Sequence, residues 1–373
     1  MEFCRLHASA APQTWLASRP MSPSTLQRPA PHTLTRPRIL PKGMPPKEAA
    51  QSLLRGDSFS IHCHYGRGAE ILEQLARIHP APAPTSDYAT RMAFAQKHRN
   101  AERRLFAPIE DHRVALRDAR SIGFLKELYP DTRSFWLPFP DVQELHGAWR
   151  KYQEGTHLAV LGHKIHPFYG TYVPTRVSHL ELFGTWLSNY AGPRHRAVDV
   201  GTGCGVLAMM IAKSGFNHVV ATDCNPNALE SVRRDLKRRE AVTSMNLLEC
   251  DLLGTDPAPA DLIVFNPPWL HGEIRSYLDQ ALFFNDNLFE RFFEQAHRTI
   301  TPNGRVVLVF SNIMQLLQPE RPHPILQELE TGRFHLVNKT QRRIKNASNG
   351  PGPRRRTKER VEIWELSLQD PLK

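Results

Sequence analysis

Residues 196–205 read Arg196-Ala197-Val198-Asp199-Val200-Gly201-Thr202-Gly203-Cys204-Gly205. A short apolar run leads straight into a glycine-rich turn, and Val206 to Ser214 continue with helical composition through Leu207, Ala208, Met209, Met210, Ile211 and Ala212. Strand, turn and helix in that order make the opening unit of an α/β sheet, with a turn backbone that a nucleotide-like ligand can approach closely. The next apolar strand, His218-Val219-Val220-Ala221-Thr222, ends at Asp223, 24 residues after Asp199. An acidic residue at that distance can accept hydrogen bonds from both ribose hydroxyls of a nucleoside. Asn225-Pro226-Asn227 then caps a further helix with proline in its first turn.

A second stretch faces the first. The apolar strand Asp261-Leu262-Ile263-Val264-Phe265 ends in Asn266-Pro267-Pro268-Trp269. Two consecutive prolines hold the chain extended and remove two amide donors, which leaves carbonyl groups free. The Asn266 side-chain carbonyl and the Pro267 backbone carbonyl can both accept from an incoming NH2, and Trp269 can stack on a planar acceptor, a contact worth about 1–3 kcal/mol for a base. Alone, this is a rigid proline turn beside a core tryptophan; one strand after a glycine-and-acid site, it reads as an amine-binding turn. The chain contains no Pro-Cys dipeptide, which argues against carbon-5 cytosine chemistry, where a cysteine nucleophile is required.

The glycines at 201, 203 and 205 are spaced more tightly than the G-x-G-x-x-G that seats a pyrophosphate. With Asp199 ahead of them, the pattern resembles the class I S-adenosylmethionine-dependent methyltransferases. The order over roughly 170–370 is similar to the small-domain N-methyltransferases that include the release-factor glutamine enzymes. That resemblance implies a Rossmann-like seven-stranded methyltransferase sheet and S-adenosylmethionine as cofactor. It places Asp199 near the cofactor's amino-acid moiety, Gly201, Gly203 and Gly205 along its backbone, and Asp223 at the ribose. Asp251, closing Leu247-Leu248-Glu249-Cys250-Asp251, would stand near the adenine amino group; by itself it is also an ordinary strand-end turn carboxylate. Asn266, Pro267 and Trp269 take the catalytic roles. Trp269 stands where the glutamine enzymes usually carry tyrosine, and the helix opened by Pro174-Thr175-Arg176 lacks their following acids.

The remaining pattern alternates α and β, as a mostly parallel sheet covered on both faces requires. Asn287 to Arg298 predicts an amphipathic helix with a phenylalanine core face. Thr301-Pro302-Asn303-Gly304 predicts a turn, Arg305 to Phe310 a buried strand, and Ile325 to Leu329 a helix. Phe334 to Lys339 and Val361 to Leu366 predict a closing antiparallel hairpin. Its loop carries Arg354, Arg355 and Arg356, which suits contact with phosphates and equally a solvated turn.

Three segments precede or make up this unit. Residues 1–46 hold six Lys/Arg and one acid, Glu2, with much Pro, Ser and Thr, a composition of disorder or of an organelle transit peptide. Residues 47–153 predict a helical substrate-recruitment domain, with helices over Lys47 to Leu54, Ala69 to Ile78, Tyr88 to Leu105 and Ile109 to Leu128. Residues 154–373 form the methyltransferase-like domain, entered by a hairpin of Leu158 to Leu161 and Tyr169 to Val173.

Net charge is +11, which favours anionic partners. The five cysteines lack paired spacing, as in a reducing compartment such as the cytoplasm, with an organelle the alternative if the basic leader is a transit peptide. No apolar run approaches the ~20 residues of a membrane span, and no cluster has metal-ligand spacing. The expected activity is N-methylation of a macromolecule. A helical N-terminal domain favours a protein glutamine amide. An exocyclic base amine in RNA or DNA, a small-molecule amine, and a silent cofactor-binding module are the alternatives.

Overall fold

The computed structural model describes residues 26–33, 36–83, 88–174, 176–239, 245–255, 257–272, 281–344 and 358–369. Its larger sheet is built from β8 (Arg196–Val200), β9 (His218–Asp223), β10 (Met245–Glu249), β11 (Ala260–Phe265), β14 (Ile300–Ser311), β15 (Phe334–Arg343) and β16 (Arg360–Leu368). The spatial order is β10-β9-β8-β11-β14-β16-β15, seven strands in all. Only β16 runs antiparallel to its neighbours, inserted between β14 and β15. The expected closing hairpin is therefore present, with the last strand on its inner side.

The strands read as apolar runs because both faces are covered. Ala197, Val219, Ala221, Leu262 and Val264 pack on one side with α6 (Ser178–Ser188), α7 (Val206–Lys213) and α8 (Pro226–Arg238). Val198, Val200, Val220, Ile263 and Phe265 pack on the other with Phe289, Phe292 and Phe293 of the helix Leu288–Thr299. This odd-even division is the period of two of a pleated strand. Thr301 to Gly304, expected as a turn, lies within the span of β14 as an irregularity: Ala260 pairs with Ile300, and pairing resumes at Leu262 with Arg305.

The N-terminal domain is not wholly helical as expected. It is a mixed five-stranded sheet with helices packed around it. Its strands are β1 (Arg38–Ile39), β2 (Phe59–Ser60), β3 (Leu105–Glu110), β4 (Arg113–Val114) and β5 (Ser134–Pro138). Its helices are α1 (Pro46–Arg55), α2 (Tyr65–Ile78), α3 (Tyr88–Glu102), α4 (Phe124–Leu128) and α5 (Phe139–Glu154). The first three stand near where their spacing put them. Of the helix expected over Ile109 to Leu128, only Phe124–Leu128 forms. Leu105, Ala107 and Ile109 are fully buried, and a short apolar run of that kind cannot be told from a helix by periodicity. Asp111 and His112 both take positive φ, 45° and 60°, in a two-residue turn that pairs Glu110 with Arg113.

Part of the 1–46 segment belongs to this domain instead of standing apart. Leu26 and Leu40 are buried in its core, His32 bridges Trp136, and β1 pairs with β2. Residues 1–25 lie outside the described residues, as do Leu34 and Thr35. The entry hairpin is β6 (Thr156–Leu158) with β7 (His163–Ile165); 169–173 is not a strand, and its backbone is instead held against α8. The His166 amide donates to the Asp235 carboxylate at 2.9 Å and the Phe168 amide to Ser231 Oγ at 3.0 Å. The Asn227 side chain donates to the carbonyls of Tyr169 and Gln27, both at 2.8 Å, and accepts from the Gln27 amide at 2.9 Å. Arg234 lies over the Phe168 ring at 4.4 Å and pairs with Glu127. One face of α8 thus joins the two domains.

Candidate active site

Gly201, Gly203 and Gly205 all have positive φ, 63°, 54° and 79°, conformations that a side chain disfavours. At Gly205 an added Cβ would also stand 2.7 Å from Val232 Cγ2 of α8, whereas at Gly203 the nearest atom would be the Tyr172 carbonyl oxygen at 4.0 Å. Gly205 is therefore needed for packing and Gly203 for leaving the turn open.

Asp199 holds this turn from behind. It is buried on the α7 side of β8 and does not line the cavity. Its carboxylate accepts from Thr202 Oγ1 at 2.7 Å and from the Ala208 amide, in the first turn of α7, at 2.9 Å. Burial pushes its pKa up to about 7, against the lowering effect of those two bonds. Asp223 lies at the end of β9 on the cavity wall. One of its oxygens accepts from the Gly203 amide and the other from the Asn225 amide, each at 2.8 Å. Burial raises its pKa also. Each oxygen keeps a further lone pair for a ligand hydroxyl. Asn225 caps α8 by accepting from the Asn227 amide and donates to the Gly170 carbonyl, which ties the entry segment to the cavity rim. Asp251 lines the same cavity but is paired with Arg291, leaving its other oxygen open.

Asn266, Pro267 and Trp269 line the opposite part of this cavity, whose volume is about 560 Å³, within the range of small-molecule and cofactor sites. The Trp269 indole N–H donates to Asn266 Oδ1 at 3.1 Å and to the Val309 carbonyl at 3.3 Å. The Asn266 carbonyl is thus oriented by its own turn and retains a second lone pair. The ring of His179 meets Trp269 edge-on at 5.5 Å.

Three wall residues were not legible as a group. His179, in the first turn of α6, is buried, its Nδ1 has no hydrogen-bond partner among the described residues, and burial lowers its pKa to about 4. It is neutral at pH 7. Arg176 precedes α6 and pairs with Glu359 Oε2 at 2.9 Å. Glu359 precedes β16 and is 1% exposed. Only the tertiary fold joins positions 176, 179 and 359, so no spacing signal marks them. Cys204, Cys224 and Cys250 also line the cavity; burial pushes the first two up to about 12 and 11, thiols with no nucleophilic character at neutral pH. Arg354, Arg355 and Arg356 lie outside the described residues.

The strand order 3-2-1-4-5-7-6, counted from β8, with its single reversed strand, meets the sheet that the glycine pattern implied, and residues 182–341 match the methyltransferase small-domain family. The chain shares 30% identity over 139 residues with a tRNA1(Val) (adenine(37)-N6)-methyltransferase of Aeromonas salmonicida, covering 36% of this chain and 58% of that protein. It shares 30% over 134 residues with a ribosomal protein L11 methyltransferase of Geobacillus kaustophilus, covering 36% of each. A Methanocaldococcus jannaschii chain assigned as a protein N5-glutamine methyltransferase is 27% identical over 158 residues, 40% of this chain and 76% of that one. The chain thus spans between about a third and three fifths of the first two relatives.

Proposed function

We propose that this chain is an S-adenosylmethionine-dependent N-methyltransferase acting on an exocyclic base amine of a nucleic acid. One observation carries the enzymatic part: the glycine turn with Asp223 and the Asn266-Pro267-Pro268-Trp269 turn line a single cavity. The cavity fits the cofactor. The open Gly203 position leaves room beside the backbone, Asp223 would hold the ribose hydroxyls, and the free oxygen of Asp251 would meet the adenine amine. S-adenosylmethionine supplies a methyl group already activated on a sulfonium, so no strong general base is called for. Asn266 Oδ1 and the Pro267 carbonyl accept hydrogen bonds from the two amine N–H groups and aim the nitrogen lone pair, and the one proton displaced on methylation leaves to solvent. Trp269 fixes the Asn266 carbonyl and walls the site, and His179 packs against Trp269 as a neutral ring. Alignment then supplies much of the rate.

A wholly helical recruitment domain favoured a protein amide, and that domain holds a mixed five-stranded sheet among its helices. A net charge of +11 supports the nucleic-acid acceptor. The test is labelled-methyl transfer from S-adenosylmethionine into fractionated cell extract. Asn266→Ala should abolish transfer while S-adenosylhomocysteine still binds, and Asp223→Ala should weaken that binding. Label in nuclease-sensitive material supports the base-amine reading, label in a protein band supports an amide, and equal cofactor loss in both variants refutes the division of roles.

A further inference from the structure

The cavity wall carries a pair of thiols that cofactor binding leaves unused. Cys224 follows Asp223 at the end of β9, and Cys250 follows Glu249 at the end of β10. The two strands are parallel with Asp223 opposite Glu249, and the Cys250 amide donates to the Asp223 carbonyl at 3.2 Å. In a parallel ladder that bond belongs to the next pair along, so Cys224 and Cys250 stand opposite each other. Neighbouring strands lie about 4.7–4.9 Å apart, inside the roughly 4.4–6.8 Å that a disulfide spans between Cα atoms. Both residues are thiols lining the cavity, Cys224 exposed and Cys250 half-buried. Only the sheet brings them together, since they are 26 positions apart in the chain.

The turn beyond Cys250 is strained. Leu252 is buried with φ 53°, a left-handed conformation that an L side chain disfavours. Its carbonyl accepts from Thr222 Oγ1 at 2.7 Å and from Cys250 Sγ at 3.6 Å. The Cys250 thiol therefore helps to hold the turn that carries Asp251.

Resting on the methyltransferase reading above, we propose that Cys224 and Cys250 form a reversible redox site, oxidised by a small disulfide, whose closure weakens cofactor binding. Cys224, the more accessible, attacks one sulfur of the small disulfide and releases one thiol. Cys250 then attacks the Cys224 sulfur of the mixed disulfide, forms the Sγ–Sγ bond and releases the second thiol. Two cysteine protons pass to the leaving thiolates, and two electrons pass to the small disulfide. The Leu252 carbonyl loses its sulfur donor, and a fixed bridge replaces two rotatable thiols between Asp223 and Asp251. Burial, with the charges of Asp223 and Asp251 behind it, pushes Cys224 up to about 11 and raises Cys250 too. Thiolate is scarce at pH 7, which slows the exchange without setting its equilibrium.

The test equilibrates the full chain in glutathione buffers of stepped oxidised-to-reduced ratio at about pH 8.5, where thiolate is more plentiful. Acid quenching and tryptic mapping then locate the bond. Oxidation should join residues 214–233 to 240–275, the fragments that hold Cys224 and Cys250. The joined form should bind S-adenosylhomocysteine about tenfold more weakly or worse, an ordinary strength of coupling. By linkage, saturating S-adenosylhomocysteine should favour the dithiol by the same factor, raising its midpoint potential by about 30 mV for each tenfold. Dithiothreitol should restore wild type, and Cys224→Ser and Cys250→Ser should each keep their own affinity unchanged by oxidation. No joined fragments in the most oxidising buffer, an unchanged affinity in the joined form, or an affinity loss that persists in Cys224→Ser would each overturn the proposal. Failure of reduced wild type to bind S-adenosylhomocysteine would instead remove the methyltransferase reading, and the proposed effect with it.

Discussion

Gly205→Ala separates two costs that the glycine turn combines. The backbone at Gly205 has φ 79° and ψ 12°, and an L-residue in that region costs about 1–2 kcal/mol. The new Cβ would also stand 2.7 Å from Val232 Cγ2 and 3.1 Å from Cγ1, both on a side chain with no exposed surface. Forcing an extra methyl into such packing costs about 1–3 kcal/mol. Gly203→Ala is the internal control, since it shares the positive φ but meets nothing closer than 4.0 Å. Equilibrium urea unfolding should therefore show Gly205→Ala destabilised by about 2–5 kcal/mol and Gly203→Ala by about 1–2 kcal/mol. Removing the clash should return the difference. In a double-mutant cycle with Val232→Ala, Gly205→Ala should cost no more than its backbone part, a coupling of about 1–3 kcal/mol. Equal costs for the two glycines, or additivity with Val232→Ala, would show that packing against α8 is not why this position is glycine.

Asn227→Ala should leave the Gln27 amide and carbonyl and the Tyr169 carbonyl without the side chain that pairs with them, costing about 1–3 kcal/mol, and should speed subtilisin cleavage next to Gln27; cleavage no faster than wild type would remove Asn227 as the tie between the N-terminal segment and α8. His179, whose pKa burial lowers to about 4 from 6.5, binds its proton more readily when unfolded. Its contribution is intact above pH 6.5 and is lost as pH falls toward 4. The stability difference between wild type and His179→Phe should be flat above pH 6.5 and shift against wild type by about 3 kcal/mol by pH 4. Asp199, raised to about 7, acts in the opposite sense over part of this range, and the comparison of the two proteins cancels it. A flat difference across the whole range would show that His179 is not held neutral.

Much of this fold and the two halves of its site were legible locally, because the relevant physics is local. Apolar strands that run into Gly201-Thr202-Gly203-Cys204-Gly205 and into Asn266-Pro267-Pro268-Trp269 carry their own turn conformations, and a parallel sheet puts strand ends on one edge whatever surrounds it. Asn225-Pro226-Asn227 capped its helix for the same reason. What failed was decided by burial at long range. Leu105 to Ile109 is a strand because neighbouring strands pair with it, and Gln27 and Leu40 are held because α8 and β2 pair with their backbone groups. Asp199, on the face toward α7 by the two-residue period, became a tether for the glycine turn and not a wall of the cavity. Arg176, His179 and Glu359 belong to one wall only because β16 folds back between β14 and β15. The sequence by itself determined the glycine turn and the Asn-Pro-Pro-Trp turn that meet at one cavity; the tertiary structure alone decided which charged groups line it with them, since a wall shared by residues 183 positions apart is closed by packing and leaves no local trace.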